Sequence, residues 1–162
     1  MFKNNRIYLI ISMFSSLGLA IGCTEVQVEM DEGGESERSY INAGTPGGDG
    51  PPFSGAVMVD GTLYISGALG LIDGEVPEDP ADEARAVLDS IKRTLEAAGM
   101  TMDDLVSIQV FCSDVSHYGA FNGVYRTYFS KEFPARAFVG SGPLLFGARF
   151  EVLGIAVERD DD

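Results

Sequence analysis

Two charged residues stand in apolar settings that argue for chemistry. Arg136 follows a Pro-Ala step and opens the apolar run Ala137-Phe138-Val139, while Glu151 stands fifteen residues further on, inside a second apolar run from Phe150 to Val157. In an extended chain residues two apart share a face, so Glu151 belongs with Leu153, Ile155 and Val157. A lone acid on such a face takes a partner or has its pKa raised. A guanidinium fork at the edge of an apolar pocket suits bidentate capture of a small carboxylate. A carboxylate within hydrogen-bond reach of water can orient or deprotonate it. The expectation is that Arg136 and Glu151 flank a small pocket. The plainer alternatives are a surface or ion-paired Arg136 and a Glu151 that pairs with Arg149 or Arg136, and the residues alone leave these open.

Other chemistry finds less support. His117 is the only histidine and has no Cys or Asp at metal-ligand spacing, so it reads as a helix-start or surface residue. H-E-x-x-H, C-x-x-C, G-x-S-x-G and Walker-type loops are missing from the sequence, so no metal or cofactor is expected. The run Gly67-Ala68-Leu69-Gly70 resembles a phosphate loop only superficially. Ser66, at a strand end before Gly67, can offer a hydrogen bond to a ligand, but no histidine is spaced to activate it as a nucleophile. Cys112 ends an apolar strand and reads as a small buried side chain. A net charge of −14 disfavours gripping a phosphate backbone, so no nucleic-acid partner is expected.

The 162 residues are enough for one domain with extensions, and 45% hydrophobic content supports a core. Residues 1–22 have the pattern of an export signal: Lys3 and Arg6, then an uncharged run from Ile7 to Ile21 that is short for a membrane span. The end of that run, Leu19-Ala20-Ile21-Gly22-Cys23, resembles the bacterial lipobox, which implies lipidation at Cys23 and an envelope location facing the periplasm or exterior. Residues 24 to 52, acidic and then rich in Gly and Pro, read as a tether. A tether of that length spans roughly 30 Å root-mean-square.

The domain is expected to begin at Phe53. Residues 55–60 and 62–66 about Asp60-Gly61 predict a hairpin, with Gly67 and Gly70 breaking the strand after Ser66. Asp79 as N-cap, Pro80 at N1 and the stripe Ala84, Leu88, Ile91, Leu95 and Ala98 predict a helix ending at Gly99. A strand over 106–112 follows. Next comes a helix after Asp114 with Phe121, Val124, Tyr125, Tyr128 and Phe129 inward, then the strands of Arg136 and Glu151, and an acidic tail at 160–162. The predicted order is ββαβαββ, an α+β layer of two helices on one sheet.

From Pro52 to Arg159 the chain resembles the RidA/YjgF family of enamine/imine deaminases, also known as L-PSP endoribonucleases. The resemblance rests on PFSGAV, ISG, EARAVLDSIKRTLEAAGMTMDDLVSIQVFCSD, FNGVYRTYF, PARAFV and FEVLGIAVER, in the family's order and spacing. PAR followed fifteen residues later by a strand glutamate is its most specific feature. It implies a chorismate-mutase-like fold, a homotrimer with pockets between subunits, and hydrolysis of a small carboxylate-bearing imine without a cofactor. By the same resemblance Arg136 binds the substrate carboxylate and Glu151 serves the hydrolytic water. Phe53, Ser66, Gly67, Asn122, Tyr125 and Phe138 then line the pocket. Four positions depart: Phe53 replaces a usual tyrosine, Ala68 a glutamine, Gly140 a frequent acid and Leu153 a second strand acid. These changes imply a more apolar pocket. The alternative function is a trimeric binding module that holds a carboxylate metabolite without turnover.

Overall fold

The structure, a computed structural model, describes residues 37–159. The expected signal, Cys23, the first part of the tether and the acidic tail lie outside the described residues.

Six strands form one sheet: β1 (Arg38–Ile41), β2 (Ala56–Val59), β3 (Thr62–Leu69), β4 (Leu105–Cys112), β5 (Ala135–Gly140) and β6 (Phe150–Val157). Helix α1 (Pro80–Ala97) lies between β3 and β4, and α2 (Tyr118–Tyr125) between β4 and β5. The spatial order is β1-β2-β3-β6-β4-β5. Only β4 and β5 pair in parallel.

Local chemistry explains the elements. Asp60 and Gly61 both take positive φ, 47° and 72°, as the two-residue turn from β2 to β3 requires. Asp79 accepts a hydrogen bond from the Ala81 amide at 2.8 Å, Pro80 opens α1, and Gly99 closes it at φ 78°. Both helices pack on one face of the sheet. Ala84, Val87, Leu88, Ile91 and Leu95 of α1 and Phe121, Val124 and Tyr125 of α2 meet Leu63, Ile65, Ile108, Val110, Phe150 and Val152 in one core. The period of two sends Glu151, Leu153, Ile155 and Val157 to the other face, where no helix lies among the described residues.

The α+β class with two helices on one face matches the expectation, and two details differ. First, the sheet begins before Phe53: Arg38–Ile41, inside the expected tether, pairs antiparallel with Ala56–Val59. Three of its four side chains are exposed, so this edge strand is held by backbone ladder bonds and leaves little hydrophobic pattern to read. Second, Gly67 does not end β3. The register with β6 shifts between Ile65 and Ala68, a bulge that carries the strand on to Leu69.

A buried carboxylate ties α1 to the start of β6. Glu83 is fully buried, and its Oε1 accepts from the amides of Arg149 at 2.6 Å and Phe150 at 3.0 Å. Its Oε2 accepts from Arg149 Nη1 at 2.7 Å, and the same guanidinium donates to the Pro77 and Glu78 carbonyls. The helix approaches so closely that a Cβ on Gly70 would overlap the Glu83 carbonyl.

Candidate functional site

Pro134 leads into β5 in an extended conformation, and Arg136 pairs there with the buried Ile108. Its side chain therefore turns toward α2. The guanidinium carbon lies 4.5 Å from the Tyr125 ring centre and 5.8 Å from those of Tyr118 and Phe138. Asn122, Tyr125, Arg126, Phe133, Pro134 and Arg136 line a cleft of about 180 Å³. Among the described residues, the buried side-chain polar atoms without a hydrogen-bond partner are Arg136 Nη1 and the Tyr125 hydroxyl. Both belong to residues of this cleft. An unsatisfied buried polar group costs about 1–3 kcal/mol, so the cleft lacks an acceptor.

Burial pushes the Tyr125 phenol up to about 12, against the opposing pull of Arg136, so it stays protonated. The exposed Tyr118 phenol shifts the other way. A hydrogen bond from Asn122 and the charge of Arg136 hold it below its ordinary value. Phe138 packs edge-on to Tyr118 and Phe121, fixing the wall behind the guanidinium.

Glu151 belongs to a second cluster. It pairs with Leu69 on one side and Phe111 on the other. A Cβ on Gly67 would overlap the Glu151 carboxylate, so the bulge glycine leaves room for that group. Beside it, the Ser66 hydroxyl donates to the Ser54 carbonyl at 2.7 Å and the Ser66 amide to the Gly55 carbonyl at 3.0 Å. Those bonds pin the loop that carries the exposed Phe53.

Within one chain the expected pocket between Arg136 and Glu151 does not form. Arg136 is paired with Ile108 and Glu151 with Phe111, three positions apart on β4. An odd separation puts the two side chains on opposite faces of the sheet. Of the eight residues expected to act, Arg136, Asn122, Tyr125 and Phe138 gather on the helix side, Glu151 meets Gly67 on the other with Ser66 next to it in β3, and Phe53 is exposed on the loop before β2. The ion-pair alternatives do not describe them either. Arg149 is taken by Glu83, and among the described residues neither Arg136 nor Glu151 forms a salt bridge.

His117 ends a 3-10 turn at the start of α2, capped by Asp114, which accepts from the Ser116 amide at 2.9 Å. The described residues contain no cluster of His, Cys, Asp or Glu fit to hold a metal. Cys112 is buried, with its thiol pushed up by that burial. Reading the sequence missed Tyr118, Arg126 and Phe133 around the cleft. Tyr118, Asn122 and Arg126 recur at intervals of four, which places them on one helical face, so a signal was present. Glu83 carries no sequence signal beyond that of an acid in the first turn of α1.

The profile of the family described as Endoribonuclease L-PSP matches residues 49–158, more than half of the chain. The chain belongs to the RidA/YjgF family. It is 41% identical over 110 residues to a goat (Capra hircus) protein named 2-iminobutanoate/2-iminopropanoate deaminase, covering 66% of this chain and 80% of the relative. Among solved structures, the YjgF gene product from E. coli superposes with a TM-score of 0.67 at 33% identity, covering 75% of this chain and all of the other. E. coli TdcF with bound serine gives 0.65 at 28% identity, covering 69% of this chain and 92% of that one.

Proposed function

We propose that this protein is an imine/enamine deaminase, hydrolysing a small carboxylate-bearing imine to a keto acid and ammonia. The observation that carries the reading is the buried, unpaired Arg136 Nη1 in an aromatic cleft that contains no acid. Arg136 holds the substrate carboxylate, as a fixed guanidinium fork does well. A relative with serine bound, itself a small carboxylate, supports that ligand class. A protonated imine is already electrophilic, so the chain needs no cofactor for the step. Water adds to the iminium carbon and loses a proton to Glu151, which passes it to nitrogen; Glu151 then takes the hydroxyl proton as the C–N bond breaks and C=O forms, and the departing ammonia takes up that proton as ammonium.

The two half-sites require a second copy. In this proposal the Arg136 cluster of one subunit meets the Glu151, Gly67, Ser66 and Phe53 cluster of the next, in a homotrimer of the kind the family resemblance implies. Phe53 and Ala68 leave fewer polar groups on the pocket wall than the family pattern, which favours substrates with little polarity around the imine carbon. The purified protein, supplied with imines made in situ by an amino-acid oxidase, tests the activity. Arg136→Ala removes one side of a desolvated charge contact, a loss of about 2–5 kcal/mol. That corresponds to a rate reduction of roughly 30-fold or more. An unchanged rate refutes the assignment.

A non-catalytic carboxylate binder is the second reading. It is favoured by the separation, within one chain, of the Arg136 cluster from the candidate base. Thermal stabilisation by 2-oxobutyrate with no ammonia release from any imine would select it. We also propose that Cys23 carries a lipid and holds the domain at the cell envelope. Metabolic labelling with a fatty acid, lost in Cys23→Ala together with membrane fractionation, tests this. Label retained in that variant refutes it.

A further inference from the structure

The Arg136 cleft contains a second guanidinium that the deaminase reading does not use. Arg126 lines the same 180 Å³ cleft, one helical turn beyond Asn122. None of the six residues that line the cleft is acidic, in a chain with 25 acids and a net charge of −14. Arg126 is exposed and, among the described residues, forms no salt bridge, as is true also of Arg38, Arg93, Lys131 and Arg136. Two arginines without ion pairs, one of them with its buried Nη1 unpartnered, and the unpartnered hydroxyl of the almost fully buried Tyr125 converge on one small volume. The fields of both cations also reach Tyr118, whose phenol is lowered by the Asn122 hydrogen bond, then by Arg136 and, least, by Arg126. A single monocarboxylate neutralises one guanidinium and leaves the other without a counter-charge in the cleft.

We infer that the cleft is built for a dianion: a dicarboxylate 2-imino acid, with the carboxylate next to the imine carbon on Arg136 and the distal carboxylate on Arg126. The inference rests on the deaminase reading for its chemistry, but not for its charge pattern. Asn122, one helical turn before Arg126, lines the same cleft, so its amide can hydrogen-bond the distal carboxylate as well. The apolar Phe133 and Pro134 then pack along the methylene spacer. Arg126 becomes the residue that sets substrate class, acting by direct contact with the part of the ligand that does not react.

The test compares two imines of matched shape, made in situ by flavin oxidases from D-glutamate and D-glutamine. These differ in a distal carboxylate against a neutral amide. A charge-assisted contact at a partly enclosed site is worth about tenfold or more. The expected result is a kcat/KM about tenfold higher for the glutamate-derived imine. Arg126→Gln should abolish that preference, lowering kcat/KM for the glutamate-derived imine about tenfold more than for the neutral one. Equal rates on the two imines in the parent protein, or an equal loss on both in Arg126→Gln, overturns the inference. Thermal shift with 2-oxoglutarate against 2-oxovalerate separates this from failure of the deaminase reading. Greater stabilisation by 2-oxoglutarate, dependent on Arg126, upholds the dianion site even if no imine is turned over, and equal stabilisation by the two keto acids refutes it.

Discussion

Gly67 offers the sharpest test at the scale of single residues. Its missing side chain leaves the place that the Glu151 carboxylate occupies. In Gly67→Ala the new methyl meets the far end of a flexible side chain, which can swing aside at a cost of about 1 kcal/mol or less. The expected outcome is a melting temperature within about 3 °C of the parent and turnover reduced by at least about tenfold, because the candidate base is displaced. Full activity would remove Glu151 from the mechanism. Tyr118 adds a pH dependence. The Asn122 hydrogen bond and the charge of Arg136 favour its phenolate, and a ligand carboxylate competes for the same guanidinium. Ligand binding therefore raises the Tyr118 pKa again and takes up a proton, so affinity falls as pH rises toward 10. Titration of a stable keto acid should show that decline in the parent and a flat profile over the same range in Tyr118→Phe.

The tie between α1 and β6 belongs to the scale of elements. Glu83 satisfies two backbone amides and one guanidinium immediately before Glu151. Glu83→Ala leaves both amides without an acceptor and takes the carboxylate from Arg149, which keeps only the Pro77 and Glu78 carbonyls, and breaking a buried pair of this kind costs about 3–5 kcal/mol. A melting temperature lowered by roughly 10 °C is the expected result by calorimetry; a change under about 2 °C would show that water replaces the carboxylate without loss. The edge strand β1 shows why some elements escape a sequence reading. Ser39 and Tyr40 face solvent and Ile41 is only half-buried, so the pairing with β2 rests on backbone groups common to every sequence. The helices carry their own signals in caps and stripes: α1 stands where they place it, while α2 closes at Tyr125 and leaves Tyr128 in a 3-10 turn and Phe129 beyond it, both only partly buried.

The whole molecule decides whether the chemistry is possible, because one chain holds the two halves of the site back to back. If the catalytic site spans two subunits, Arg136→Ala and Glu151→Gln chains, each inactive alone, will regain part of the activity when unfolded together and refolded. In mixed oligomers of the proposed kind, some interfaces pair an intact Arg136 cluster with an intact Glu151 cluster. Recovery of roughly a quarter of parental activity is expected from random mixing, since each half is intact in about half of the chains. No recovery, with mixed oligomers shown to form, would rule out a shared site.

Much of this protein was written in the residue order itself. The family, the α+β class, both helices, the hairpin at Asp60-Gly61 and the isolation of Arg136 and Glu151 in apolar strands depend on local periodicity, turn chemistry and motif spacing, which act over a few residues. The side of the sheet on which each charge emerges was different. It depends on Arg136 and Glu151 both being registered against β4, at Ile108 and Phe111, and register between strands far apart in sequence is a property of the folded sheet. The use of Arg149 by Glu83, the bulge at Gly67 that makes room for a carboxylate, and the convergence of Arg126 on the Arg136 cleft were likewise settled only by packing. Each needs segments brought together from distant parts of the chain, and no local pattern encodes that distance.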